Sequence, residues 1–277
     1  MDGNYKYSVE AVCSGFGYSR QAYYQKKKHL LSKELKDGLL LHEIQRIRQR
    51  QPRIGGKKLY HRLSPFMKEI GLKRGRDRFF DFLRQEGLLV ERRKKYISTT
   101  DSRHHFRKYP NKIKGLKLTS PNQVYVADIT YIRTLKGFCY LSLLTDAYSR
   151  KIVGYDLSLS LSIEGSIRTL GMALGQLDKT ECLIHHSDRG VQYCSYDYTG
   201  ILRKSKVKIS MTEENHVYEN ALAERVNGIL KEEFMLGETL ASYQIAKKMV
   251  QQAVEIYNNE RPHQSLKYDT PAMRHAA

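Results

Sequence analysis

The chain contains few cysteines, and no two of them stand close together in the sequence. The four are spread along 277 residues, as Cys13, Cys139, Cys182 and Cys194. Structural zinc sites are usually built from cysteine pairs in C-x-x-C spacing, so a zinc site of that kind is not expected. The adjacent histidines at 104–105 and 185–186 have no cysteine pair beside them either.

Long apolar runs are also missing from the sequence. No stretch approaches the roughly 20 apolar residues of a membrane-spanning helix. The opening residues MDGNYKYSVE lack the apolar core of a secretory signal. Together with the scattered cysteines, these absences predict a cytoplasmic protein in a reducing compartment, with access to DNA and without a membrane partner.

Acidic residues are scarce in the first part of the chain. Residues 1–120 hold 30 Lys and Arg against 11 Asp and Glu, whereas residues 121–277 hold 18 of each. The formal net charge of +19 therefore resides in the first 120 residues. Such a concentrated positive field favours binding to a phosphate backbone, with strong salt dependence. A ribosomal or merely soluble basic protein would carry a similar charge, so charge alone does not identify the nucleic acid.

The first 90 residues have helical patterns, and we treat residues 1–90 as one basic helical region. Residues 5–30 show an apolar stretch, a glycine-containing turn and Ser19 as the N-cap of a second helix. This is the outline of a helix-turn-helix, which any short helical hairpin would share. A further helix begins near residue 38, with apolar residues at helical spacing, and Pro52 stops it.

Two basic helices follow in the same region. Pro65 limits the first helix or opens the next piece, and Gly87 ends the second. A basic helix after a turn is the usual shape of an element that reads a DNA groove, so Arg76 and Arg78 are candidate DNA contacts. The alternative is a solvated basic face on a helical bundle.

Residues 91–117 differ in character from the helical region. They are basic, poor in aliphatic residues and interrupted by Pro110 and Gly115, which is typical of a linker. We expect this linker to track along DNA or to become ordered on contact with it. Its candidate contacts are the four consecutive cations Arg92, Arg93, Lys94 and Lys95.

From residue 118 to residue 277 the pattern predicts one α/β domain. Apolar, β-branched runs alternate with helical patterns in the order β-β-β-α-β-α-β-α, which indicates a mixed five-stranded sheet with flanking helices. The first three strands have short connections and predict an antiparallel meander. Strands one and four can then be neighbours in the sheet.

Three acids in this domain carry the chemistry. Asp128 falls in the first strand, Asp188 ends the fourth strand, and Glu224 lies on a later helix. Three carboxylates so placed can hold two Mg²⁺ ions, which clamp the attacking and leaving oxygens of a phosphodiester displacement. Taken singly, each acid also has a structural explanation as a turn residue, a cap or a partner of the helix dipole. The case for a site rests on their joint context.

Six sequence blocks around these acids resemble the D-D-E transposases, which are similar to retroviral integrases. The blocks are D-I-T-Y at 128–131, H-S-D-R-G-x-Q-Y at 186–193, S-M-T at 210–212, Y-E-N-A-L-A-E at 218–224, L-K-E-E at 230–233 and Y-N-x-E-R-P-H-x-S-L at 257–266. The resemblance is to the OrfB product of the IS-three family of insertion sequences, from about residue 121 to the end. It implies a ribonuclease-H-like integrase core and matches Asp128, Asp188 and Glu224 to the family's metal-binding catalytic triad.

The resemblance also implies an activity, cofactors and partners. With two Mg²⁺ or Mn²⁺ ions, such a transposase cuts DNA at the terminal inverted repeats of its element, using water. The freed 3′-hydroxyl then attacks target DNA in a one-step transesterification. The family implies a homo-oligomer on DNA, an OrfA partner or an OrfA–OrfB fusion, and a bacterial, nucleoid-associated location.

Further positions on the same helix have expected roles. Lys231 matches a basic residue that in relatives approaches the DNA end, and it lies seven residues after Glu224 on the same helix side. Gly228 allows close approach of DNA or is simply a tolerated glycine. Glu219 stands where many relatives have Asp, which leaves the role of that position open.

Polar residues outside the triad have mainly structural interpretations. For Asp146 we prefer a turn or a salt bridge with Arg150 over a place near the metals. His185 packs beside the sheet end, although contacts with metal or DNA are alternatives for both His185 and His186. Arg261 follows the last long helix, where its segment packs or the side chain touches DNA.

Two other functions fit parts of the sequence, and a third does not. A ribonuclease-H-like nuclease would share the acidic centre and hydrolyse DNA without joining it. A non-catalytic DNA-binding remnant would need none of the three acids. A tyrosine recombinase would need an Arg and His cluster around a nucleophile, which the 20 tyrosines do not have around them.

Overall fold

The computed structural model describes residues 7–91, 105–213 and 220–277. The chain divides into two compact units, Met1–Gln49 with Leu59–Leu88 and Arg50–Lys58 with Leu89–Ala277. The short segment 50–58 thus belongs to the second unit, whereas the helical residues on either side of it in the sequence belong to the first. The predicted boundaries at 90 and 117 stay predictions, and the candidate DNA contacts Arg92, Arg93, Lys94 and Lys95 and the position Glu219 lie outside the described residues.

Four helices lie in the described residues 7–91: α1 (Val9–Gly15), α2 (Arg20–Arg50), α3 (Gly56–Glu69) and α4 (Arg76–Gln85). Within the first unit, apolar stripes of α2, α3 and α4 are buried, as the helical spacing predicted for α2 and α4. The buried side chains are Leu40, Ile44, Ile47, Leu59, Leu63, Met67, Phe79, Phe82 and Leu83. Ser19 precedes α2 and accepts a hydrogen bond from the Ala22 backbone N–H at 3.1 Å, which confirms its capping role.

Two expectations for these helices were wrong. The helix expected to begin near residue 38 is the second half of the 31-residue α2, because no proline interrupts the chain between its two halves. Pro65 lies inside α3 and does not limit it. Leu63 and Met67 are buried on either side of that proline, and their burial offsets the one helical hydrogen bond that Pro65 cannot donate.

The second unit is built on a five-stranded sheet in the order β3-β2-β1-β4-β5. The strands are β1 (Val124–Thr134), β2 (Gly137–Asp146), β3 (Ile152–Ser158), β4 (Ile184–Ser187) and β5 (Lys208–Met211). The first three form the expected antiparallel meander, whereas β4 pairs in parallel with β1 and with β5. The first and fourth strands are therefore neighbours, as the order of elements along the chain allowed.

Helices cover both faces of this sheet. They are α5 (Ile163–Leu174), α6 (Val191–Cys194), α7 (Tyr196–Lys204), α8 (Ala221–Glu233), α9 (Tyr243–Asn259) and α10 (Pro271–Ala276), with a 3-10 turn at Gln264–Leu266. One core joins β1, β2 and β3 to α8 and α9, and the other joins the opposite face to α5 and α7. At Gly154 in β3 a side chain would collide with the backbone of Thr169, so glycine permits the close packing of α5.

The helices of the described parts of the chain do not combine the length and apolar character that a membrane crossing requires.

Candidate active site

The register of the parallel pair brings the first two acids together. Val126 of β1 lies opposite His186 of β4, and each acid stands two residues further along its chain. Asp188 directly follows Ser187, the last residue of β4. Because the two parallel strands have the same rise per residue, Asp128 and Asp188 lie side by side. Both side chains are half-buried.

Asp128 is held by one side chain and one backbone amide. Asn227 of α8 donates from Nδ2 to Oδ2 at 2.7 Å, and the Ile129 N–H donates to Oδ1 at 2.9 Å. Burial and, next, the charge of Asp188 raise the pKa of Asp128 to about 7, against the lowering effect of these hydrogen bonds. The pair of carboxylates is therefore short of positive charge, which is the condition that a bound cation relieves.

Asp188 also has a structural role in a turn, which was the alternative explanation for an acid taken singly. Its Oδ1 accepts a hydrogen bond from the Gly190 N–H at 2.9 Å, in the turn that leads into α6. A side chain at position 190 would approach this same oxygen to 3.0 Å, so glycine keeps the turn tight. This bond fixes the direction of the carboxylate beside Asp128.

Glu224 lies in the first turn of α8 and its side chain is exposed. Its charge contributes to the raised pKa of Asp128, after the larger effects of burial and Asp188. Within residues 7–91, 105–213 and 220–277, no three His, Cys, Asp or Glu side chains are grouped closely enough to hold a metal ion. The charge of Glu224 thus acts on Asp128, but the three carboxylates are not close enough together to form a metal site in these positions.

The polar face of α8 comprises Glu224, Asn227 and Lys231, which share one side at spacings of three and seven residues. Lys231 is half-buried; burial lowers its pKa, and the negative charge of Asp128 acts in the opposite direction. Sequence reasoning missed Asn227. Its signal was a polar residue between the buried Val226 and Ile229, three positions after the expected catalytic Glu.

The histidines before Asp188 pack in the sheet. His185 is buried, and its Nε2 lies 2.9 Å from the Tyr198 hydroxyl. Burial lowers the pKa of His185 to about 3, so its ring is neutral at physiological pH. His186 Nδ1 lies 2.9 Å from the hydroxyl of Ser210 on β5. The packing interpretation of His185 is confirmed, and His186 shares it.

Two further polar residues, Arg261 and Asp146, each fill one of the two roles expected for them. The guanidinium of Arg261 is buried against Glu233, with two hydrogen bonds of 2.8 Å, which argues against the DNA contact. Asp146 holds a turn, which is one of the two roles preferred for it, and the alternative salt bridge with Arg150 is not formed among the described residues. Its Oδ1 accepts from the backbone and hydroxyl of Ser149, and its Oδ2 accepts from the Asn122 N–H.

The remaining candidates are placed without a test of their roles. Arg76 and Arg78 lie exposed in the first turn of α4, and Arg76 Nε donates to Asp77 at 3.0 Å. A side chain added at Gly228 would meet nothing within 4 Å. Packing within the described residues therefore does not require a glycine at this position of α8.

Comparisons with known proteins agree on the family. Residues 119–216 match a family model described as "Integrase core domain", and residues 205–271 match a second model with the same description. The insertion element IS600 uncharacterized 31 kDa protein of Shigella sonnei is 35% identical over 266 residues, covering 94% of this chain and 96% of that protein. Transposase InsF for insertion sequence IS3A of Escherichia coli K12 is 32% identical over 183 residues, covering 65% of this chain and 64% of the relative.

Among solved structures, the HTLV-2 integrase catalytic core domain in complex with magnesium is similar to 56% of this chain and 97% of its own chain, with a TM-score of 0.46 and 18% identity. The predicted α/β fold, a ribonuclease-H-like integrase core preceded by a helical region, agrees with the sheet and with the matched family models. The relatives and the fold lead to one conclusion. The chain belongs to the IS3 (IS-three) family of insertion-sequence transposases, polynucleotidyl transferases built on an integrase core.

Proposed function

We propose that Asp128, Asp188 and Glu224 are the catalytic, metal-binding residues of a D-D-E transposase that cuts and joins the ends of its own insertion sequence. The observation that carries this proposal is the parallel register of β1 and β4, which sets Asp128 beside Asp188 below the polar face of α8. The all-oxygen donor set fits Mg²⁺ or Mn²⁺, and the shortage of positive charge around Asp128 fits a cation.

Two ions at such a site would activate the attacking oxygen and stabilise the leaving oxygen. In the first step, a water oxygen bonds to the scissile phosphorus and the bond from phosphorus to the 3′-oxygen breaks, which leaves a free 3′-hydroxyl on the element end. In the second step, that hydroxyl attacks a target phosphodiester, and the target's own 3′-oxygen departs. Asn227 fixes the orientation of Asp128, and Lys231 provides a positive charge for the phosphate beside it.

DNA and protein partners complete the proposal. The positive charge of the first 120 residues would bind the terminal inverted repeats and the target DNA, through Arg76 and Arg78 in a helix-turn-helix-like region and through the 92–95 run. Two ends must meet before they are joined, so we expect a homo-oligomer on DNA. An OrfA partner or an OrfA–OrfB fusion, and association with the bacterial nucleoid, belong to the same proposal.

The test is a strand-cleavage and joining assay on labelled duplexes that carry the ends of the element. We expect products that depend on Mg²⁺ or Mn²⁺ with the wild-type chain, alone or fused to OrfA, and none with Glu224→Gln. Glu232→Gln is the matched control, because this exposed Glu lies on the same helix, outside the polar face. Cleavage without any joined product would contradict the proposal and favour a nuclease.

A further inference from the structure

The C-terminal end of α8 is held by a buried cluster of three charges, which we call the Glu233 clamp: Lys58, Glu233 and Arg261. Arg261 donates from Nε and Nη2 to the two carboxylate oxygens of Glu233, at 2.8 Å each, and Lys58 Nζ donates to Oε1 of the same carboxylate. The side chain of Arg261 is 4% exposed, and those of Lys58 and Glu233 are 13% exposed. All three residues belong to the second unit.

The segment 50–58 adds two contacts to this clamp. The Arg53 N–H donates to the Glu233 carbonyl at 3.2 Å, and so satisfies a carbonyl that the last turn of α8 leaves without a partner in the helix. Arg50 donates to Glu260, which directly precedes Arg261. One short stretch of chain therefore binds both the end of α8 and the segment that follows α9.

The clamp lies on the opposite side of α8 from the polar face. Glu233 follows Glu224 by nine residues, which is about 13 Å along the axis and about half a turn around it. Asn227 and Lys231 point toward Asp128, while Glu233 points to Lys58 and Arg261. These contacts fix α8 at its C-terminal end and on the side away from the acids. The position of the helix in turn determines where its polar face meets Asp128.

The charge of Lys58 does not favour stability, whereas the pKa of Glu233 is lowered because the bonds and charges of Arg261 and Lys58 outweigh the effect of burial. Two buried cations share one carboxylate, and burial followed by the charge of Arg261 lowers the pKa of Lys58 to about 8. Arg225 adds a further unfavourable charge at Lys58. Apolar residues of similar size often replace a buried ion cluster without loss of stability. A lysine that costs stability at this place therefore suggests a task other than holding the fold together.

We propose that Lys58 and Arg261, acting through Glu233, are positioning residues that fix α8 so that Asn227 and Lys231 meet Asp128. The inference rests on the proposed function for its catalytic consequence, and on the contacts above for its structural one. The segment 50–58 would then belong to the working catalytic unit, although the predicted core begins at 118.

The main variant is Lys58→Met in the full chain, because methionine keeps the length of the side chain and leaves the Glu233–Arg261 pair in place. We expect the kcat of strand cleavage to fall about tenfold at an unchanged KM for DNA, while Tm stays equal or rises. Lys58→Arg should restore most of the rate. The matched control is Lys206→Met, which removes an exposed lysine paired with Glu181 at 2.8 Å.

A second readout does not depend on activity. Hydrogen exchange of the α8 amides should be faster in Lys58→Met and in Glu233→Gln than in the wild type, and unchanged in Lys206→Met. Faster exchange with a wild type that neither cuts nor joins would leave the clamp standing and reject the proposed function. A kcat within twofold of the wild type, a parallel loss of rate and Tm, or unchanged exchange of α8 would overturn the clamp proposal.

Discussion

Asn227 acts on Asp128 through a direct hydrogen bond, because its amide donates to one of the two carboxylate oxygens. We expect Asn227→Ala to lower the rate of metal-dependent cleavage about 10- to 100-fold, as loss of an outer-shell partner does in metal sites. The reason is that the Asp128 carboxylate loses its fixed orientation. Single-turnover cleavage and Mn²⁺ affinity measure the effect.

Asn111→Ala serves as the control for this variant, since Asn111 caps a local turn through a 2.9 Å bond to the Ile113 N–H. Its rate should equal that of the wild type. If Asn227→Ala kept its full rate and Mn²⁺ affinity, the bond to Asp128 would have no catalytic consequence.

Gly228 gives a prediction in which stability and activity move in opposite directions. Its position in the middle of α8 leaves open space around an added side chain. Gly228→Ala should therefore raise the free energy of unfolding by about 0.5–1 kcal/mol, because alanine loses less backbone entropy in a helix. If DNA approaches this face closely, the same methyl group should lower the DNA-cleavage rate. Denaturant unfolding and the cleavage assay together decide, and a stabilised variant of full activity would favour the simple tolerated-glycine interpretation.

At the scale of the element, α8 connects the acids of the proposed site with the charges of the Glu233 clamp. The charge of Lys58 in this clamp makes the stability of the protein depend on pH. Lys58 has a pKa of about 8 in the folded chain against an ordinary value near 10.5. Between these values the unfolded chain binds more protons than the folded chain, so stability rises with pH. The full effect amounts to about 3 kcal/mol.

We expect the stability advantage of Lys58→Met over the wild type to be largest near pH 7 and to shrink as pH rises toward 10. Denaturant unfolding of both proteins at each pH measures the difference, in which the other titrating groups cancel. A difference that stays constant from pH 7 to 10 would show that Lys58 keeps its ordinary pKa in the folded chain.

The elements also mark what sequence patterns can predict. Local periodicity was sufficient for the order of strands along the chain, the β1–β2 turn and the buried stripes of α2 and α4, because each depends on residues within a few positions. The strand order allowed Asp128 and Asp188 to be adjacent, and the pairing of β1 with β4 brings them together. Asn227 and the Glu233 clamp were not predicted, because they depend on contacts between residues 99 and 175 positions apart. The continuous α2 was missed because its first 19 residues are mostly exposed and have no apolar stripe to signal a helix.

At the scale of the molecule, charge and chemistry are divided along the chain. The acids of the proposed site and the polar face of α8 come from residues 121–277, which hold 18 Lys and Arg against 18 Asp and Glu, while the excess of 19 lies before residue 121. Affinity for the DNA backbone and catalysis should therefore respond to different substitutions. A loss of phosphate contacts weakens binding uniformly and reduces its dependence on salt. The loss of a catalytic acid should leave the affinity for DNA and its dependence on salt unchanged.

The four cations 92–95 give the sharpest version of this division. Replacing Arg92, Arg93, Lys94 and Lys95 together by alanine should reduce the slope of log Kd against log salt by about 3 to 4, since each lost phosphate contact contributes about 0.9. The control removes the same charge from exposed lysines of the second half, Lys136, Lys179, Lys247 and Lys248, and should change the slope little. Fluorescence anisotropy with one duplex across 50–300 mM salt, at about the ionic strengths where screening of such contacts varies most, measures both. Equal losses in the two variants would mean that the net charge of the whole chain, and not this run, binds the DNA backbone.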